Sequence, residues 1–375
     1  MSAHTDQAVE LMQRFAARTG VSAPSPPERY LWTDAFAVCT FLGLARTTGE
    51  SRYTDLALRL VDQVHHVLGR HRADDRRAGW ISGLDEAQGE AHPTAGGLRI
   101  GKPLAERAAD EPLDERLEWE RDGQYFHYLT KWMHALDLVA RSTGQPRFNQ
   151  WARELACAAH RAFAYVPRAG GRRRMYWKVS IDLSRPLVRS MGQHDPLDGL
   201  VTCLQLQAGA QPEPGLDAAI ADFTAMLEPR GLATADPLGI GGLLTDAYRL
   251  AQLEPQGGAH WALVELLLDA ALVGLEDYRN QPDLHLPAAR RLAFRELGLA
   301  IGLAALERDA WRQAPRGARD RIDLLVRHLP VRREIERFWL QPEHRVTEPW
   351  REHANINDVM LATSLRPEGY LTLST

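Results

Sequence analysis

The chain has 375 residues, of which 45% are hydrophobic and 25% charged, with a formal net charge of -4. This is the composition of an ordinary globular protein, and its charge balance gives no global attraction to nucleic acid. It has no run of ~18 apolar residues and no basic stretch followed by an apolar core at MSAHTDQAVELMQRFAARTG, so neither a membrane span nor a signal peptide is expected.

Cys39, Cys157 and Cys203 each sit in an apolar run and form no CxxC pair. They read as buried structural thiols without a disulfide framework, which suits a reducing, cytoplasmic compartment. No Pro/Gly/Ser-rich linker divides the sequence, so one domain spanning 1–375 is expected.

Residues 4–18 read as a short amphipathic helix, closed by the PSPPE stretch at Pro24–Glu28. Helices are predicted over 30–47 and 52–69, joined by the TTGES turn. The unit returns: ARTTGESRYTDLALRL at 45–60 aligns with ARSTGQPRFNQWAREL at 140–155. The shared glycine lets the chain leave the first helix in a left-handed conformation. The aromatic that follows, Tyr53 or Phe148, can pack back on the second helix.

Later pairs are predicted at 198–208 with 216–227 across GAQPEPG, 243–253 with 259–275 across EPQGG, 287–306 with 318–328, and 332–340 with 356–365. No segment alternates long enough for a major sheet. Two insertions, 71–123 and 166–195, lack helical periodicity, and loops of that length in a compact protein are commonly functional.

The first insertion carries Trp80 and a dense acidic run from Asp110 to Asp122, in which Glu118 and Asp122 are candidate site carboxylates. It ends in Gln124, Tyr125, His127 and Tyr128, just before an apolar helix. Gln124, His127 and Lys131 share a predicted helix face, with Tyr128 and Trp132 beside it. Such groups suit a sugar site: rings stack on apolar sugar faces, and carboxylates and amides hold hydroxyls. A satisfied stripe without chemistry is the other reading.

The second insertion carries Arg168, Arg172, Arg173, Arg174, Lys178, Arg185 and Arg189 around Tyr176 and Trp177. Pairing with the acidic loop is one account, and recognition of an anionic sugar, a uronic acid or a phosphorylated sugar, is another. One short basic patch on an acidic chain does not make a nucleic-acid site. SMGQHDPLDGL follows. Here Asp195 suits a helix cap, Asp198 falls in the first turn as the preferred catalytic carboxylate, His194 stands beside them, and Gly199 permits a close approach. Near the C-terminus, His353, Asn355, Asn357 and Asp358 form another group rich in hydroxyl-binding side chains.

His65 and His66 point apart on one helix, and the other histidines are scattered without HExxH or Cys/His spacing, so no metal is expected. GLRIG and GIGG do not make a dinucleotide or phosphate loop, and GxSxG does not occur. No cofactor is expected.

The Trp32…TTGES-RY unit, its copy at 140–155 and the six helical hairpins with long loops resemble the six-hairpin (α/α)6 glycosidase superfamily, over roughly residues 30–365. The resemblance implies an all-α (α/α)6 toroid with a substrate cleft at its mouth. It also implies sugar chemistry by hydrolysis, elimination or epimerisation. A glycoside hydrolase would pair Glu118 or Asp122 as acid with Asp198 or Asp358 as base. An epimerase, isomerase or lyase would use His127, His194 or His353. A non-catalytic helical scaffold is the third reading. The expected partner is a small-molecule substrate, with no nucleic acid and no membrane.

Overall fold

The computed structural model describes residues 3–209, 213–253 and 260–373. Parts of the GAQPEPG and EPQGG connectors, 210–212 and 254–259, lie outside the described residues. The long helices are α1 (Ala3–Arg18), α2 (Leu31–Thr48), α3 (Arg52–Leu68), α6 (Phe126–Thr143), α7 (Arg147–Phe163), α8 (Asp195–Gln207) and α9 (Asp217–Met226). They continue with α10 (Pro237–Leu253), α11 (Trp261–Arg279), α12 (Ala293–Ala305), α13 (Arg316–Val326), α14 (Leu329–Leu340) and α16 (Ala354–Leu365). Short helices are α4 (Glu86–Ala91), α5 (Glu115–Glu118), α15 (Glu348–Glu352) and α17 (Glu368–Leu371).

The hairpins pair helices of two kinds, for a reason visible in their residues. Residues 31–44 of α2 are buried on every side, as an apolar sequence without a polar stripe requires. α3 buries the apolar stripe Tyr53, Ala57, Leu60, Val61, Val64 and Leu68, with His65 beside it, and leaves its other face half-buried or exposed. α6 and α7 repeat this division. The turns before α3 and α7 use Gly49 at φ 73° and Gly144 at φ 67°, the left-handed exit expected from the repeat. Tyr53 and Phe148 are both buried, as their place after the turn requires.

Predicted helix starts move by a few residues. α10 begins at Pro237, six residues ahead of the expected 243, because Asp236 and Pro237 open it. α12 begins at Ala293 rather than 287, because Pro287 and the short 3-10 turn Ala288–Arg290 hold the chain extended before it.

Contacts divide the chain into two compact units, 1–18 with 40–53 and 228–375, and 19–39 with 54–227. In the first, α10 packs on α11 and α12, and α16 packs on α1, α12 and α14. In the second, α6 packs on α7 and α8, and α8 packs on α9. The insertions 71–123 and 166–195 belong to the second unit and are mostly irregular. With the residues that flank them they form two small sheets, β1 (Gln124–Tyr125), β4 (Lys178–Val179) and β5 (Pro186–Val188) in the order β1-β4-β5, and a β2 (Ala164–Tyr165) to β3 (Arg174–Met175) pair. β1 runs antiparallel to β4 with Tyr125 opposite Lys178, which brings Trp177 beside the start of α6. One expectation is corrected here. Gln124 lies on β1, before α6 begins, so it is not part of the helical stripe.

Candidate functional site

The start of α8 is brought to the start of α6 by small residues. A Cβ on Gly199 would come within 2.9–3.0 Å of Phe223 and Phe126, so glycine lets α8 close on both rings. Phe126 also packs on Phe163, a buried aromatic base beneath the two helix starts. Gly192 serves the carboxylate itself: a Cβ there would lie 2.5 Å from Asp195 Oδ2.

Four charged or titratable groups meet at this junction. Lys131 Nζ donates to Asp198 Oδ2 at 3.2 Å. His127 Nδ1 lies 3.7 Å from Asp195 Oδ1, beyond a direct hydrogen bond. Asp195 is 4% exposed, and its Oδ2 is buried without a hydrogen-bond partner. Burial pushes the Asp195 carboxyl up to about 7, and the neighbouring Asp198 charge adds to that. The Gly192 backbone and Lys131 act against it. Burial pushes the His127 imidazole down to about 4, with Asp198 opposing and Lys131 adding. Near neutral pH the site therefore presents a neutral imidazole and a carboxyl poised between its two forms, beside the Lys131–Asp198 ion pair.

An aromatic wall stands beside them. Tyr125 and Trp177 both stack near-parallel to the His127 ring, at 5.4 and 6.2 Å between centroids. Tyr128 meets His127 edge-on, and its hydroxyl lies 2.6 Å from that of Tyr30. Trp119 stands edge-on to Trp177 at 4.9 Å and is 49% exposed, an open ring face at a cavity of about 200 Å³. Leu113, Glu118, Tyr125 and Trp177 complete most of that cavity's lining. A neighbouring cavity of about 440 Å³ shares Leu113 and is lined by Arg107, Arg185 and Arg189, with no acidic residue in its lining.

The other expected site residues have structural partners. Glu118 is buried and doubly paired, Oε1 with Lys178 Nζ at 2.9 Å and Oε2 with Arg107 Nε at 3.0 Å. This meets the expectation that the second insertion pairs with the acidic loop, and it leaves Glu118 poorly suited to proton transfer. Asp122 is fully buried. It accepts from Arg99 at 2.5 Å and from the amides of Gly101 and Gly123. It ties the loop together instead of facing a cleft. Gln124 is likewise spent on Leu98, Gly96 and Ile181 backbone groups. Trp80, expected to offer a ring to substrate, is 2% exposed, with Arg70 over its face at 4.4 Å. Tyr176 stacks on Tyr165 at 4.1 Å in the β2–β3 hairpin.

His194 is the N-cap residue of α8, and neither it nor Asp195 caps the helix with its side chain. The capping role expected of Asp195 is thus corrected: Asp195 is already the first helical residue, and its carboxyl turns toward His127. In the other unit, Asp358 is buried against Arg18 at 2.9 Å and Arg14 at 3.5 Å. Asn355 accepts from Arg18, Asn357 donates to the Trp350 carbonyl, and His353 packs edge-on to Phe294. Neither asparagine caps α16, since His353 precedes that helix without a side-chain cap.

Sequence reading did not select Asp195, Trp119 or Tyr30 as site residues, and it noted Lys131 only as part of the helix-face stripe. Asp195 carried a signal in its spacing from Asp198, but its place before a helix gave it a simpler role. Trp119 sat in a run of acids that drew attention to their charge. Among the described residues, no cluster of three or more His, Cys, Asp or Glu side chains is placed to hold a metal ion, and no helix is long and apolar enough to cross a membrane.

No protein-family profile and no curated protein matches the chain. Solved structures do. The GH76A alpha-1,6-mannanase of Salegentibacter sp. HEL1_6 is similar at TM-score 0.54 and 11% identity, over 99% of this chain and 100% of that one. An inactive variant of that mannanase, in complex with alpha-1,6-mannotetrose, is similar at TM-score 0.53 and 11% identity, over the whole of both chains. The GH76 alpha-mannanase of Bacteroides thetaiotaomicron is similar at TM-score 0.57 and 10% identity, over 98% of this chain and 96% of that one. The fold is therefore the (α/α)6 toroid that these structures share, as the repeat implied.

Proposed function

We propose that this protein is a carbohydrate-active enzyme, a glycoside hydrolase in which Asp195 and Asp198 form the acid–base pair. One observation carries the reading. Two carboxyl groups three residues apart, on the opening turn of α8, sit in different environments, one buried without an ion partner and one paired with a lysine. Burial and the Asp198 charge favour the proton on Asp195, while Lys131 holds Asp198 as a carboxylate partner. Environments that push two carboxyls apart assign acid and base roles. Asp195 would protonate the leaving oxygen, and Asp198 would serve as base or nucleophile. The half-exposed Trp119 ring gives a sugar face a stacking surface.

The solved relatives that bind or degrade mannan support the substrate class. The acid-free cavity of Arg107, Arg185 and Arg189 supports an anionic group on the substrate, such as a uronate or a phosphate. Cys39, Cys157 and Cys203 are not joined in disulfides, which supports a reducing, cytoplasmic setting.

The test is a panel of neutral and acidic oligosaccharides, including α-1,6-mannotetraose and oligouronates, with products resolved by chromatography. Cleavage products that vanish in Asp195→Asn and Asp198→Asn are expected. Full turnover in both variants would refute the assignment. A product of unchanged mass, or one with a new double bond, would favour the epimerase or lyase reading and move the chemistry to the neutral His127 ring.

A further inference from the structure

The unit that contains α10 to α16 has a cavity of its own, about 440 Å³ in volume. It opens between the first turn of α10, the last turn of α11 and the segment that leads into α12. That volume lies within the ~300–1,000 Å³ range of small-molecule sites.

Its floor is rigid and electrically closed. Arg291 grips Glu296 with two bonds of 2.8 and 2.7 Å, and Trp339 Nε1 donates to the same carboxylate at 2.7 Å. Arg295 pairs with Asp236 at 2.9 Å. Two buried polar groups of the lining are left without a hydrogen-bond partner, Arg295 Nε and the Tyr278 hydroxyl, and only the second can both donate and accept. Tyr278 lines the cavity and is 1% exposed, and its hydroxyl has no hydrogen-bond partner. A buried hydroxyl left unpaired is costly and uncommon in a folded protein, and it calls for an occupant.

The rest of the lining indicates what that occupant is. Its three carboxylates (Asp236, Asp283 and Glu296) balance its three guanidinium groups (Arg290, Arg291 and Arg295), so the cavity does not select an ion by net charge. Acceptors, donors and a hydroxyl all line it, and Pro237 and Leu292 add apolar surface. A ligand with many hydroxyls that both donate and accept, and with apolar C–H faces, fits every part of this description.

We infer that this cavity is a second saccharide-binding site, taking a neutral sugar unit whose hydroxyl pairs with the Tyr278 hydroxyl. It lies apart in sequence from the Asp195–Asp198 pair and does not depend on the turnover proposed for that pair.

The experiment titrates α-1,6-mannotetraose, maltotetraose and cellotetraose into the full chain by calorimetry, in an Asp198→Asn background that prevents hydrolysis. Tyr278→Phe and Arg290→Ala are then added singly. At least one tetrasaccharide is expected to bind, and Tyr278→Phe should weaken it roughly 2- to 12-fold, the worth of one hydrogen bond. The melting temperature of Tyr278→Phe should stay level or rise, since an unpaired hydroxyl has been removed. Arg290 is exposed on the short turn before α12, so its loss tests the rim without touching the core. Binding that is equal in the background and both variants overturns the inference, and so does the absence of binding by all three sugars. Turnover measured separately on Asp195→Asn judges the hydrolase reading, so the two can fail independently.

Discussion

Lys131 Nζ lies 3.2 Å from Asp198 Oδ2, an ion pair that joins the second turn of α6 to the first turn of α8. Both side chains are mostly shielded, with 14% and 12% of their surface exposed. The pair fixes the carboxylate's position and its charge together. Asp198→Asn keeps the shape and the hydrogen-bonding capacity but cannot act as a base or balance the ammonium. It is expected to cut turnover roughly 10²- to 10⁴-fold while the protein still folds. Rates and melting curves on the same preparations check this. Unchanged turnover, or a loss that follows unfolding, would leave Asp198 as a helix-start residue.

Asp195 makes a prediction about pH. Its carboxyl holds its proton to about pH 7 when folded, against 3.8 as the ordinary value. Its contribution to stability is therefore full below the unfolded value and is lost as pH rises through about 7. His127 runs the other way: depressed from 6.5 to about 4, its contribution is full above the unfolded value and lost as pH falls through about 4. Asp195→Asn removes the first dependence and leaves the second. The variant should gain in melting temperature relative to the parent as pH rises from about 4 to about 7. Parallel melting-temperature profiles would contradict the buried, proton-holding carboxyl. If Asp195 is also the acid, parent turnover falls as pH rises through the same value, and the residual activity of the variant lacks that limb.

Much of this architecture was legible because hairpin repeats write it locally. Gly49 and Gly144 announce their left-handed turns, and the contrast between the all-apolar α2 and the one-faced α3 separates buried from half-buried helices. The site was legible only in part. His127, Tyr128, Trp177 and Asp198 do converge, because each adjoins a helix start or the strand beside it. Glu118 and Asp122 look alike in an acidic run, yet burial opposite Lys178, Arg107 and Arg99 gives them structural work. Lys178 comes from the other insertion, and Arg107 and Arg99 arrive through irregular loop, so no helix or strand period encodes their arrival. Asp195 was hidden by the reverse effect. Its local surroundings offered a cap, and only the packing of α8 on α6 shows that its carboxyl is spent elsewhere.

Asp122 should behave as a structural residue. It is fully buried, with Arg99 and Arg72 both on Oδ2 and two backbone amides on Oδ1. Asp122→Ala leaves the shielded Arg99 guanidinium without its counter-charge, while Arg72 keeps Asp74, and breaking a buried pair in this way typically costs about 3–5 kcal/mol. Chemical denaturation measures this directly. The variant's midpoint should fall well below that of Asp198→Asn. A loss of turnover at full stability would instead return Asp122 to the list of reacting groups.

Arg189 tests the anionic group proposed for the substrate. It is exposed and lines the cavity with Arg107 and Arg185. The other two are tied into the fold: Arg107 binds Glu118 and the Glu111 and Leu187 carbonyls, and Arg185 donates to the Arg107 carbonyl. Replacing either would disturb the loop as well as the charge, whereas Arg189→Ala removes charge from the rim. A hydrogen bond to a charged partner contributes about 1.5–3 kcal/mol, and an exposed arginine falls at the lower end, about a tenfold change in affinity. Arg189→Ala should therefore raise KM for an acidic oligosaccharide about tenfold, with kcat and melting temperature nearly unchanged. The KM for a neutral oligosaccharide should stay the same, and added salt should weaken only the acidic substrate, because screening acts on exposed charge pairs. Equal effects on both substrates would mean that the arginine cavity does not read charge, and the anionic part of the proposal would then be withdrawn while the Asp195–Asp198 pair is judged on its own variants.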